Sequence, residues 1–148
     1  MILPDFKDFP RSGRVIGIDW GARRTGVAIT DESRTFVFVR PVIVSNGMDD
    51  LIDKLVKIIS SEKIVGVVVG LPLRMDGSES DTTKKVREFA DVLAKKINEP
   101  VVMLDETLSS ASAQDGMGRV RRVDIKEKLD SESARVILEN ALSIISRI

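Results

Sequence analysis

The sequence predicts an α/β fold: a mixed sheet of five strands, three antiparallel and then two parallel, with helices on both faces. Two observations carry this. Three β-rich segments follow one another near the start, at 14–19, 26–30 and 34–44. After them, amphipathic and continuous apolar runs alternate: helical spacing at 48–62, a β-branched run at 63–70, helical spacing at 81–97, a short run at 101–104, and helical spacing again at 130–148. The order β-β-β-α-β-α-β-α is that of a meander extended by αβ units.

The first strand, Val15 to Ile18, ends abruptly on Asp19, and the Gly-bounded stretch from Gly21 to Gly26 returns the chain as the second strand. "RTFVFVRPVIV" holds Pro41, which suits an edge strand or a strand end. "MDDLIDKLVKIISSE" has apolar residues at 48, 51, 52, 55, 58 and 59, one face of a helix. "KIVGVVVG" is apolar without alternation, as expected of a strand buried on both faces. A turn-rich loop, "LPLRMDGSES", leads to the helix 81–97, for which Ser80 or Asp81 offers an N-cap. "SSASAQDGMG" is consistent with a short helix, and "RVRRVDIKEK" with a charged connector. "DSES" supplies an N-cap signature at Asp130 for the final helix.

Composition narrows the chemistry. The chain has 148 residues, enough for one domain with a substantial core, and 23 basic side chains balance 23 acidic ones. Net charge is therefore silent about nucleic acid, and any basic surface is local. Cys, His and Tyr are all absent. That excludes disulfides, thiolate nucleophiles, Ser-His-Asp machinery and Cys- or His-ligated transition metals. Carboxylates remain, and they prefer hard cations such as Mg²⁺ and Mn²⁺. The longest nearly apolar run, "IVGVVVGLPL", has ten residues, against roughly 18 for a membrane span. Residues 1–13 carry charges and prolines without a signal-peptide core, and read as a surface-laid lead-in. A cytoplasmic protein without membrane attachment is expected.

Acids stand at segment ends: Asp19 after the first strand, Asp105 and Glu106 after the last, Asp130 before the final helix. Each also has an ordinary role, as a turn former or a helix cap. Brought to one rim of a sheet, such carboxylates repel unless a cation or proton lies between them. A site for one or two Mg²⁺ or Mn²⁺ ions follows, suited to phosphodiester hydrolysis without histidine. Strand alternation puts Asp105 and Glu106 on opposite faces, so only one need enter the site, and the sequence leaves open which.

Four motifs in order resemble the YqgF/RuvX family: "DWGARRTGVA", "VVGLPLRMDGSES", "DETLSSASA" and "LDSESARVILENAL". The resemblance implies an RNase H-like fold related to Holliday-junction resolvases, and a nuclease that processes the 5′ end of precursor 16S rRNA. It also implies Asp19, Glu106 and Asp130 as a catalytic, metal-binding acidic triad, with Asp105 as a less certain neighbour. Where the family usually has Arg after Asp-Glu, this chain has Thr107, which forfeits a bidentate phosphate contact. Arg23, Arg24 and Arg74 are candidate replacements. Arg119, Arg121 and Arg122 precede Asp130, where they could track phosphates or form a solvated connector. Asp76, Gly77 and Ser78 could rim a phosphate at a helix start. Trp20, next to Asp19, is expected to point to the opposite face.

Three other functions compete: a Holliday junction resolvase-like DNA endonuclease, a non-catalytic RNA-binding factor of a ribosomal precursor particle, and an actin-like ATPase fragment. The last is suggested by "DxGxxxxGxA" but wants a second domain. A resolvase acting on a two-fold junction would need a dimer.

Overall fold

The computed structural model describes residues 1–106 and 122–148; side chains of residues 122–131 are outside the description. Strands β1 (Ile2–Leu3), β2 (Arg14–Asp19), β3 (Arg24–Thr30), β4 (Val37–Val44), β5 (Ile64–Leu71) and β6 (Val101–Asp105) form a sheet ordered β1-β6-β5-β2-β3-β4. Helix α1 (Met48–Ser61) follows β4, α2 (Asp81–Lys96) follows β5, and α3 (Arg122–Ser146) comes last. β2, β3 and β4 are the expected antiparallel meander, and β5 and β6 extend it in parallel beside β2. Pro41 lies in β4, the edge strand.

Alternation along the central strands sorts their side chains between two cores. Ile16, Ile18, Val67, Val69 and Val101 face α1 and α2, where they meet Leu51, Leu55, Phe89 and Leu93. Val15, Ala28, Val68 and Val102 face α3, where they meet Ala134, Ile137, Leu138 and Ala141. Both faces of the middle strands are thus apolar, which is why their sequences show no polar alternation.

Where α3 crosses β2, the sheet carries a glycine rather than a side chain. A Cβ at Gly17 would stand 2.9 Å from the Ala134 carbonyl oxygen and 2.9 Å from Leu138 Cβ. The helix therefore lies directly on the backbone of β2. Farther along, the Arg11 guanidinium donates to the carbonyls of Ile145 and Ile148, each at 3.4 Å, at the negative end of the helix. Ala134 over Gly17 and Ile145 near Arg11 make α3 run antiparallel to β2.

Two expectations are corrected. The lead-in is part of the fold: β1 pairs in parallel with β6 as a sixth strand, Ile2 opposite Val101 and Leu3 opposite Val102. Phe6 and Phe9 are buried in the α3 core, edge to face with centroids 5.4 Å apart. Charges between those rings hide the apolar content in sequence. Second, α3 begins at Arg122, so Asp130 sits eight residues inside it and is not its N-cap. The "DSES" signature describes a helix start that the chain does not use. The expected helix in "SSASAQDGMG" lies outside the described residues.

Helix α2 starts from a capping box made with threonine. The Thr83 amide donates to the Ser80 hydroxyl at 3.3 Å, and the Ser80 amide donates to Thr83 Oγ1 at 2.9 Å. The Thr83 hydroxyl also donates to the Pro72 carbonyl, tying the loop after β5 to the helix. Thr83 is fully buried. Thr83→Val keeps its shape and its amide bond to Ser80, and removes the two bonds made by the hydroxyl. We expect a loss of about 1–2 kcal/mol, read as a melting temperature lower by roughly 2–8 °C. An unchanged transition would show that the threonine hydroxyl is dispensable.

Candidate active site

The carboxyl edge of β2, β5 and β6 gathers the acids. Asp19 ends β2 and follows the parity of Gly17, so it belongs to the α3 face. Trp20 turns the other way and packs against the α1/α2 core, as expected. Asp19 is paired across the hairpin with Gly26. One step beyond the Ile18–Val69 pair, it stands beside Gly70 of β5.

Gly70 separates the strands that carry the acids. A Cβ there would collide with Ile137 Cδ1 and stand 2.7 Å from Glu106 Cδ and 2.8 Å from Glu106 Oε1. The carboxyl group of Glu106 therefore lies over Gly70, on the α3 face, in space that any side chain would fill. The Glu106 amide donates to the Leu71 carbonyl at 3.2 Å and fixes this approach. Asp105 pairs with Leu71, a residue of the α1/α2 core, and faces that side. Glu106 thus shares a face with Asp19, and Asp105 does not.

Residue 130 lies on α3, four residues before Ala134 and seven before Ile137, both of which meet the sheet. It is one turn, about 6 Å, nearer the helix start than Ala134. Because α3 runs antiparallel to β2, that step leads from Gly17 toward Asp19. The Asp130 side chain is outside the description, and among the described residues no three acidic side chains form a group that could hold a metal ion. The donor set of Asp19 and Glu106 is all oxygen, and Gly70 leaves the Glu106 carboxyl room on the shared face, which fits a hard divalent cation.

The arginines divide. Arg23 is exposed in the β2–β3 turn, and its carbonyl accepts from the Ser45 amide at 2.9 Å. Arg24 is half-buried at the start of β3. Gly21 is essential to this turn, since a Cβ there would run into the Arg24 carbonyl. Arg74 is exposed in the loop after β5. Arg119 and Arg121 lie outside the described residues, as does Thr107; Arg122 opens α3, with its side chain undescribed.

The loop after β5 is a tight turn with Gly77 at φ 85°, closed by the Arg74 amide donating to the Ser78 carbonyl at 2.9 Å. Asp76 accepts from the Ser78 hydroxyl at 2.6 Å and the Ser78 amide at 2.9 Å. These bonds, the hydroxyl first, hold its carboxyl below the usual range. Ser80, rather than Asp81, is the N-cap of α2. Gly70 was not singled out by sequence, where it looks like the end of an apolar run. Its importance appears only across strands.

No helix among the described residues is long and apolar enough to cross a membrane. A family model described as "RuvX: Holliday junction resolvase" matches residues 13–144. A protein of Maridesulfovibrio salexigens named "Putative pre-16S rRNA nuclease" is 39% identical over 132 residues, covering 88% of this chain and 98% of its own. One of the same name from Sphingopyxis alaskensis is 37% identical over 147 residues, covering 97% and 96%. The fold is similar to that of Thermus thermophilus RuvC in complex with a Holliday junction substrate, with TM-score 0.54, 12% identity, and coverage of 84% of this chain and 92% of that one. It is also similar to the yeast mitochondrial Holliday junction resolvase Ydc2, with TM-score 0.57, 13% identity, and coverage of 94% and 81%. The fold is thus RNase H-like, as in these resolvases, and the chain belongs to the RuvX family.

Proposed function

We propose that the chain is a metal-dependent nuclease that hydrolyses phosphodiester bonds and processes the 5′ end of precursor 16S rRNA in the cytoplasm. The observation that carries this reading is the placement of Asp19 and Glu106 on one face, with Glu106 over Gly70. Asp130, on α3 one turn before Ala134, is assigned as the third acid. Relatives that share nearly the whole length carry the rRNA nuclease name.

In this reading Asp19, Glu106 and Asp130 hold Mg²⁺ or Mn²⁺. When bound, the ion stabilises charge developing on the phosphate and lowers the pKa of the attacking water. The residues of the chain do the positioning. Gly70, which has no side chain, leaves room for the Glu106 carboxyl on the face it shares with Asp19. Arg23, Arg24 and Arg74, with Arg119, Arg121 and Arg122, neutralise phosphates that flank the scissile bond. With no histidine in the chain, carboxylates and water carry the protons.

A junction-directed DNA endonuclease is the second reading, favoured by the description of the family model. One assay separates the readings. The protein is incubated with precursor 16S rRNA fragments and with four-way junction DNA, each with Mg²⁺, Mn²⁺ or EDTA. We expect cleavage of the RNA near the mature 5′ end, requiring the ion. Cleavage of the junction alone selects the second reading. Binding without cleavage under every metal points to a non-catalytic role in a ribosomal precursor particle.

A further inference from the structure

The edge strand β4 leaves large apolar side chains in solvent. Phe36 is 62% exposed and Phe38 50%. Their rings are neighbours, with centroids 6.3 Å apart and planes tilted by 43°. Phe38 pairs with Ile29 and Arg40 with Val27. Both partners belong to the α1/α2 core, and directly opposed residues share a face. Phe38 and Arg40 therefore present one face, and Phe36, one residue before the strand, sets its ring beside that of Phe38.

From Arg40 a groove of about 470 Å³ runs between β4 and α1, with Val27, Ile29 and Ile58 inside it and Arg40, Lys54 and Lys57 along it. Val44 also borders a second hollow of about 490 Å³, bounded by Ala22, Arg23 and Ser45. The two lead from Arg40, two residues beyond Phe38, to the turn that follows Asp19. Over the eight residues of β4 the path is about 27 Å long, room for several nucleotides.

The cations are held in place beside the groove. Arg40 pairs with Glu62, which also takes Arg14 at 3.2 Å. Lys54 pairs with Asp50 at 3.1 Å and donates to the Val44 carbonyl at 2.8 Å. Exposed aromatic rings beside positioned cations form the surface on which single strands stack, because every base has a π-face. Pro41 lacks the N–H that edge-to-edge pairing with another strand would use, so a second copy is the poorer occupant.

We propose that this face binds single-stranded RNA: unpaired bases stack on Phe36 and Phe38, and phosphates follow Arg40, Lys54 and Lys57 toward the catalytic edge. The direction of the path rests on the nuclease reading; the binding does not.

The test measures fluorescence anisotropy of a labelled eight-nucleotide uridine oligomer titrated with the full chain, with Phe36→Ala/Phe38→Ala, with Phe38→Trp and with Lys57→Ala. Stacking predicts affinity about tenfold or more weaker in the double variant and retained in Phe38→Trp. Lys57→Ala is expected to flatten the salt dependence by roughly 0.7 in logarithmic slope. Equal affinity of the wild type and the double variant overturns the proposal. So does sedimentation showing a wild-type dimer that the double variant loses, which assigns the patch to self-association. Cleavage of precursor rRNA is scored separately. If no protein cuts but binding depends on the rings, the nuclease reading falls and the RNA surface stands.

Discussion

Asp19→Asn is expected to lower metal-dependent cleavage by about 10³-fold or more while leaving the fold intact. Asparagine preserves shape and backbone pairing at the end of β2, opposite Gly26. It removes the negative charge that a divalent ion requires of its ligands. Glu106→Gln is expected to do the same, since its carboxyl lies over Gly70 on the shared face. Both effects belong to one unit, so the double variant should lose little more than either single one. The measurement is single-turnover cleavage at saturating metal, with circular dichroism as the control. Millimolar Mg²⁺ or Mn²⁺ should raise the melting temperature of the wild type and not of Asp19→Asn. A variant cutting at the wild-type rate would remove Asp19 from the site.

Gly70→Ala should damage both stability and catalysis. Its methyl group would enter the space held by Ile137 and the Glu106 carboxyl. Overpacking of that kind costs roughly 1–3 kcal/mol, and a carboxylate displaced by about 1 Å can cost around a hundredfold in rate. Gly66→Ala is the matched control. A methyl there meets the ring of Phe9, and no acid. It should lower stability without changing the rate of the folded enzyme. Equal rates in both variants, each assayed well below its melting temperature, would show that Gly70 does not set the position of Glu106.

Much of the fold could be read from sequence because its periods are clean. The apolar positions of α1 and α2, and the unbroken run of β5, have the spacing of the elements they form. Asp19 and Glu106 were visible as acids at strand ends. The face of Glu106 was not, because alternation gives relative parity and not which parity meets α3. Two elements escaped for physical reasons. β1 has only two residues, too few for a period, and its stability comes from β6, about a hundred positions later. The first turns of α3 are largely charged, so periodicity favoured a later start and made Asp130 look like a cap. Gly70 carries no side-chain signal at all; its meaning is the space it leaves for a residue on another strand.

The pairing of β1 with β6 has a consequence for the order in which the molecule can be built. A chain emerging from the ribosome presents Ile2 and Leu3 about a hundred residues before Val101 and Val102, which must be translated before those residues gain their neighbour. Until then Phe6 and Phe9 have no finished surface to cover. A segment made before the rest of the sheet is thus among the last to find its place.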